Sequence, residues 1–163
     1  MALKGNFNSL VRISFFSHFE PEALRLVAFA AQPLNFLEEE VLFQYGQQSD
    51  GGYLIVSGAV RTESAFRNFG KQMVVGPGAL VGARALIIPT RNLVSAIACE
   101  NTVTMKISRD VLRRVLEEFP ATAMKLQTVM KNELRLLGLH LKNASYEVAQ
   151  LEAENLTSAI LRY

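Results

Sequence analysis

The sequence predicts a mainly β fold, an antiparallel barrel or sandwich with flanking helices and a long C-terminal helix. Between about residues 33 and 107, short apolar runs recur at spacings near ten residues, and glycine turns separate them. Helical periodicity precedes this region and resumes after it at Ser108. No long helical pattern interrupts the short runs, so we expect antiparallel pairing between neighbouring strands.

The N-terminal segment, to about residue 32, has the pattern of an amphipathic helix. Pro21 suits a first helical position. The apolar positions that follow recur at i, i+3, i+4 and i+7, and they are Leu24, Val27, Ala28 and Ala31. Three aromatic residues just before this helix form an apolar group that we expect to pack on the next element: Phe15, Phe16 and Phe19.

The middle segment contains the predicted strands. Residues 53–56 are continuously apolar, as in a strand buried on both faces. Ser57-Gly58 and Gly76-Pro77-Gly78 are strong turn signals. The other predicted strands are 34–36, 41–43, 59–61, 73–75, 93–98 and 102–107.

The C-terminal segment returns to helix. Ser108 is a favourable N-cap, and Asp110 lies in the first turn, where the helix dipole favours an anion. Phe119-Pro120 ends that helix, and an uninterrupted helical pattern then runs from Ala121 to about Arg162. Two interleaved apolar series with a spacing of seven continue along it: Met130, Leu137, Ala144 and Leu151 at d positions, and Leu134, Leu141 and Val148 at a positions.

This apolar seam predicts a dimer. A helix of about forty residues is roughly 60 Å long, too long to bury the seam against one small barrel. We therefore predict a coiled-coil homodimer, with a β domain at 1–120 and a dimerisation helix at 121–163.

No helical pair with a glycine turn follows, so we expect no direct DNA binding, unless the chain is a truncated piece of a regulator.

Composition narrows the class of protein further. Lys and Arg number 17 against 15 Asp and Glu, a net charge of +2, which predicts no strong attraction to nucleic acid or anionic lipid. The single cysteine excludes an intramolecular disulfide, and no signal peptide or long apolar run is present. We expect a cytoplasmic protein. His18 and His140 are far apart in the sequence, so no metal site is predicted. No catalytic motif is found in the sequence, so no enzyme is predicted.

A string of turns and strands from Glu40 to Pro120 carries a resemblance to one known family. The matching segments are Glu40-Val41-Leu42-Phe43, Gly46, Ser49-Asp50-Gly51-Gly52-Tyr53-Leu54-Ile55-Val56-Ser57-Gly58-Ala59-Val60, Val75-Gly76-Pro77-Gly78-Ala79-Leu80-Val81-Gly82, Ala98, Glu100-Asn101-Thr102 and Ile107-Ser108-Arg109. On these residues the sequence resembles the cyclic nucleotide-binding domain family of Crp/Fnr-like sensors. The resemblance covers about residues 10 to 140 and implies an eight-stranded β-roll of the jelly-roll, or double-stranded β-helix, type.

The resemblance also implies a ligand site at the loop after Gly78. In the family, a short helix offers backbone N–H groups to the cyclic phosphate, a glutamate beside its glycine holds the ribose hydroxyl, and an arginine ten residues after that glycine pairs with the phosphate. Counted from Gly82, Ala83 takes the place of the glutamate and Asn92 that of the arginine. The implied ligand-binding residues are Gly82, Ala83, Arg84, Ala85, Leu86, Arg91 and Asn92.

Two nearby arginines are possible substitutes. Arg91 is one residue from the expected arginine, so strand alternation would turn it to the opposite face unless a bulge after Pro89 restores it. Arg84 would either neutralise an anion at the helix or be solvated. Loss of a charge-assisted contact costs roughly 1.5–3 kcal/mol, so cyclic AMP or cyclic GMP is expected to bind weakly. No cofactor is expected to be required.

The predicted function is a non-catalytic regulatory sensor domain in signal transduction, with weak or altered ligand binding. Ligand in the loop would reposition the last helices and change the dimer seam, as the resemblance implies. One alternative is a ligand-independent dimeric scaffold for a partner protein. Another is the sensor half of a Crp/Fnr-type transcription regulator.

Overall fold

The computed structural model describes residues 2–63, 72–132 and 135–136. The chain divides into two compact units, Met1–Ala123 and Met124–Tyr163. The α-helices are α1 (Ala2–Val11), α2 (Pro21–Ala30) and α3 (Arg109–Glu118), and residues 120–132 are also helical. Two short 3₁₀ helices lie at Ser14–Phe16 and Ala83–Leu86, and we call the second one the cassette helix.

Ten strands are present in the described residues, all paired antiparallel. They are β1 (Gln32–Phe36), β2 (Val41–Phe43), β3 (Gln48–Ser49), β4 (Gly51–Ser57), β5 (Val60–Glu63), β6 (Met73–Val75), β7 (Leu80–Val81), β8 (Thr90–Arg91), β9 (Ser95–Ala98) and β10 (Thr102–Ser108). Two four-stranded sheets have the orders β1-β10-β4-β7 and β2-β9-β5-β6, and β3 pairs with β8. The predicted fold class is confirmed.

β2 and β6 have their predicted bounds, and the other five predicted strands differ from theirs by one or two residues. β9 begins at Ser95, because Leu93 and Val94 form a bend before it, whereas the sequence predicted a strand from 93. Three two-residue strands, β3, β7 and β8, were not predicted from the sequence pattern, and they bring the seven predicted strands to ten, against the eight that the resemblance implied. Two residues are too few to carry a periodic signal.

One apolar core joins the two large sheets. Its buried members come from β2, β4, β5, β7 and β9, and they are Leu42, Phe43, Ile55, Val60, Val81, Ala96 and Ala98. Leu54 and Ile55 are successive residues of β4 and both are fully buried. The prediction that this strand is buried on both faces is therefore confirmed.

The helices behave as the sequence predicts. Pro21 begins α2, whose buried residues are Ala23, Leu24, Val27 and Ala28. The rings of Phe16 and Phe19 meet edge to face at 5.1 Å, and Phe15 meets Phe16 at 4.9 Å. The Ser108 hydroxyl accepts a hydrogen bond of 3.2 Å from the Val111 N–H and caps α3.

The C-terminal predictions lie largely beyond the described residues. Met130 belongs to the helix at 120–132, while the other predicted seam residues lie outside the described residues: Leu134, Leu137, Leu141, Ala144, Val148 and Leu151. The coiled-coil homodimer and the domain boundary at 120 remain predictions. In the part of the chain that the structure describes, no helix is long and apolar enough to cross a membrane.

Candidate ligand-binding site

The residue before the cassette helix is a glycine in the left-handed backbone conformation. Gly82 precedes the helix with φ of +79°, and the Ala85 N–H donates to its carbonyl at 3.0 Å. A Cβ on Gly82 would lie 3.3 Å from the Gly51 carbonyl oxygen of β4. Both the positive φ and the close approach favour glycine here. The N–H groups of Ala83 and Arg84 precede the first bond within the helix, as the first donors of any helix do.

The opposite wall of the site is held by the β3–β8 pair. Gln48 pairs with Arg91 and Ser49 with Thr90. Just beyond β8, the Asn92 N–H donates to the Gln47 carbonyl at 2.8 Å, and its own carbonyl accepts from the Gly46 N–H at 2.8 Å. Asn92 is only 8% exposed. Its backbone is thus fixed on both sides at the edge of the site.

A cavity of about 240 Å³ lies between these two walls. Its lining comprises Phe43, Val81, Gly82, Ala83, Arg84, Ala85, Arg91, Asn92, Leu93 and Val94. Six of the seven residues implied by the resemblance are in this lining, so the structure brings them together. Two arginines and one amide are its polar side chains, and none of the ten residues is acidic.

Leu86 was predicted as part of the backbone cradle, which remains a prediction, and its side chain lies outside the cavity lining. It is 2% exposed, and its Cδ1 would lie 3.4 Å from a Cβ on Gly52. The turn of the cassette helix directs this side chain into the core beneath the site. Leu86 therefore supports the helix and does not line the cavity.

Each arginine has a defined hydrogen-bond partner. Arg84 Nη2 donates to Thr90 Oγ1 at 2.8 Å, and Arg91 Nη1 donates to the Gly46 carbonyl at 2.8 Å. Arg91 lines the same cavity as Asn92, although strict alternation predicted opposite faces. The reason is that β8 ends at Arg91, so Asn92 is outside the strand and the pleat no longer fixes its direction. No bulge after Pro89 is needed.

The apolar part of the lining was missed by sequence reasoning. Phe43, Val81, Leu93 and Val94 line the cavity. Leu93 is 60% exposed although apolar, and it directly follows the arginine position of the family. The position of Leu93 directly after Asn92 is the sequence signal from which a contact with a ligand could have been predicted.

Metal binding finds no support in the described residues. Within 2–63, 72–132 and 135–136, no group of three or more His, Cys, Asp or Glu side chains lies close enough to hold a metal ion. The chemistry that the cavity offers is hydrogen bonding and positive charge at the rim, with apolar contact at the walls.

Comparison with known proteins places this fold in a family. The sequence profile of the cyclic nucleotide-binding domain matches residues 33–119. A solved structure of a cyclic nucleotide-binding-like protein from Brucella abortus has 37% sequence identity and a TM-score of 0.62, covering 69% of this chain and 97% of that chain. The chain therefore belongs to the cyclic nucleotide-binding domain family.

Two further similar proteins carry the names of a transcriptional regulator and an activator protein. A "CRP-like cAMP-activated global transcriptional regulator" from Mycobacterium tuberculosis is 25% identical over 128 residues, which is 77% of this chain and 57% of the regulator. The catabolite activator protein of Thermus thermophilus is 25% identical with a TM-score of 0.64, covering 82% of this chain and 63% of that structure. This chain thus spans just over half the length of the Mycobacterium regulator.

Proposed function

We propose that this chain is a non-catalytic regulatory sensor domain whose cavity beside Gly82 binds a small-molecule ligand, and that cyclic AMP and cyclic GMP bind it weakly. The observation that carries the proposal is the lining of the cavity. The family's glutamate and arginine positions are Ala83 and Asn92, and both lie in that lining. The cradle is present, while the two side chains that recognise a cyclic nucleotide are replaced.

The size of the cavity supports weak nucleotide binding. Its volume of about 240 Å³ is below the roughly 300–1,000 Å³ that is usual for small-molecule sites. A cyclic nucleotide would extend beyond the walls or require them to separate. Without a carboxylate in the lining, the ribose hydroxyl would also lack its strongest acceptor.

The output that we propose is a change in the C-terminal helix. In this reading ligand binding shifts the population of two arrangements of the last helices, and the helix from 121 onwards forms a homodimer. Analytical sedimentation at tens of micromolar tests the dimer, which we expect at that concentration. A monomer at that concentration would contradict the proposed homodimer, and it would not contradict the proposed binding site.

Calorimetric titration with cyclic AMP and cyclic GMP tests the site. We expect the native chain to bind with a dissociation constant near millimolar. Replacing both positions in an Ala83→Glu/Asn92→Arg variant should tighten cyclic AMP binding by at least about 100-fold, because each restored charge-assisted contact contributes about one to two decades. Asn92→Gln, which keeps the amide at the same position, is the matched control and should not tighten binding.

Two results would contradict the proposal. Submicromolar binding of cyclic AMP to the native chain would show that Ala83 and Asn92 do not weaken recognition. A correctly folded double variant, checked by circular dichroism, that still binds no nucleotide would favour the ligand-independent scaffold instead.

A further inference from the structure

Two arginines of the cavity have no acidic partner among the described residues. The ion pairs there involve Arg25, Arg61, Lys106 and Arg113. Arg84 and Arg91 each donate to a neutral oxygen instead, that of Thr90 and of Gly46 respectively. Their two positive charges lie at one cavity that contains no carboxylate.

Thr90 contacts both arginines, through the side chain of Arg84 and the backbone of Arg91. Its hydroxyl accepts from Arg84 Nη2 at 2.8 Å and donates to the Arg91 carbonyl at 3.3 Å. The head of Arg84 is therefore anchored at the residue next to Arg91. A guanidinium has five N–H donors, and each of these two uses one in the hydrogen bonds just described. Further donors on both arginines suit an anionic acceptor, which a guanidinium can bind in a fork.

The remaining walls indicate what is attached to that anion. Phe43, Val81, Leu93 and Val94 supply apolar surface. The cavity, of about 240 Å³, has room for a body of one ring. Asn92 is the only other polar side chain in the lining. An anionic head on a compact apolar body matches both parts of the lining.

We infer that Arg84 and Arg91 together form an anion-recognition pair, and that this cavity takes a compact organic anion, a carboxylate or phosphate head on an apolar body, in place of a cyclic nucleotide. The inference rests on the proposed function because it concerns the same cavity. Neither arginine occupies the position predicted for the family's arginine, so the pair differs from the recognition element that the resemblance implies.

Titration with three one-ring probes tests the inference on the full chain. The probes are benzoate, phenyl phosphate and benzyl alcohol, which share the ring and differ in the head. We expect saturable binding of at least one anion, and binding at least about tenfold weaker for benzyl alcohol. The tighter of the two anions identifies the head. Anion binding should weaken between about 0.05 M and 0.5 M salt, because exposed charges are screened.

Substitutions assign the binding to the two arginines. Arg84→Gln and Arg91→Gln should each weaken binding of the anion about tenfold, and Thr90→Val should weaken it by a smaller factor, because Thr90 only positions Arg84. Arg113→Gln removes an exposed arginine of α3 and is the matched control for charge. It should leave the affinity unchanged. Bound anion should also raise the melting temperature, because it stabilises the folded state by RT ln(1 + c/Kd), where c is the anion concentration and Kd its dissociation constant.

Several outcomes would overturn the inference. They are equal affinity for benzyl alcohol and the anions, no effect of either arginine substitution, tighter binding of cyclic AMP than of both one-ring anions, and no binding of any probe at about 10 mM. The Ala83→Glu/Asn92→Arg variant separates this failure from that of the proposed function. If the variant gains cyclic AMP while the native chain binds no probe anion, the cradle is intact and only the anion pair is wrong.

Discussion

Arg109, the first residue of α3, donates from Nη1 to the Ala85 carbonyl of the cassette helix at 3.3 Å. The same nitrogen lies 3.4 Å from the Ser49 carbonyl of β3, and the Arg109 N–H donates to the Asp50 carbonyl at 2.6 Å. Ala85 lines the cavity. One half-buried side chain therefore connects the wall of the ligand site to the start of the helix that follows the β-roll.

Replacing Arg109 should destabilise the domain more than replacing a solvated arginine. Arg109→Gln leaves two carbonyl groups without a charged donor, so we expect the free energy of unfolding to fall by about 1–3 kcal/mol in urea denaturation. Arg113→Gln, on the exposed face of the same helix, should change it by less than about 0.5 kcal/mol. Equal effects of the two substitutions would show that the link to Ala85 contributes nothing.

Gly58 and Gly46 provide a test that separates steric clash from backbone strain. Both have positive φ, +84° and +78°. A Cβ on Gly58 would lie 2.7 Å from the Asn101 carbonyl oxygen, whereas one on Gly46 would meet nothing within 4 Å. Gly46→Ala should cost only the left-handed penalty, about 1–2 kcal/mol. Gly58→Ala should cost more than about 3 kcal/mol or prevent folding. Similar melting temperatures for both variants would refute this account.

The ion pair of Glu39 with Arg61 predicts a pH-dependent contribution to stability. The two carboxylate oxygens of Glu39 each accept from Arg61 at 2.6 Å. Hydrogen bonding to Arg61 lowers the pKa of Glu39 below its usual value, and hydrogen bonding to Glu39 and Glu63 raises the pKa of Arg61. Because the folded-state pKa of Glu39 is lowered, its contribution is complete above the ordinary glutamate pKa of about 4.3 and is lost as the pH falls through the lower folded value.

Thermal melts of Glu39→Gln against the native chain check that prediction. The variant should melt at a lower temperature at pH 7, and the difference should shrink at pH values below the ordinary glutamate pKa. The exposed neighbour substitution Glu38→Gln is the control for removing one charge from this turn. A Glu39→Gln difference that stays constant with pH would mean that the lost stability is not electrostatic.

The cap of α3 gives a further prediction with a rescue. Ser108→Ala removes the acceptor for the Val111 N–H, so the free energy of unfolding should fall by about 1 kcal/mol. Ser108→Asp keeps an acceptor at the same position and adds a charge that the helix N-terminus favours, so most of the stability should return. If Ser108→Ala lowers the stability and Ser108→Asp does not restore it, then Ser108 stabilises the helix by packing and not by capping.

The turns and caps of this protein were predictable because their signals are local. Pro21, Ser108 and Gly82 each meet a backbone requirement set by their own position and the next few residues. Such signals were sufficient for the fold class and for most strands. β3 and β8 were not predicted, since Gln48 and Arg91 pair across more than forty residues and two residues carry no period.

The sequence alone predicts that Ala83 and Asn92 stand where the family has its glutamate and arginine, because residue identity and spacing along the chain are sufficient for that prediction. Only the tertiary structure decided that Leu86 lies in the core and that Arg91 lines the cavity beside Asn92. The Arg91 guanidinium is held by the Gly46 carbonyl, a residue far away in the sequence. The direction of a side chain at the end of a strand depends on such non-local partners, and no pattern of neighbouring residues contains that information.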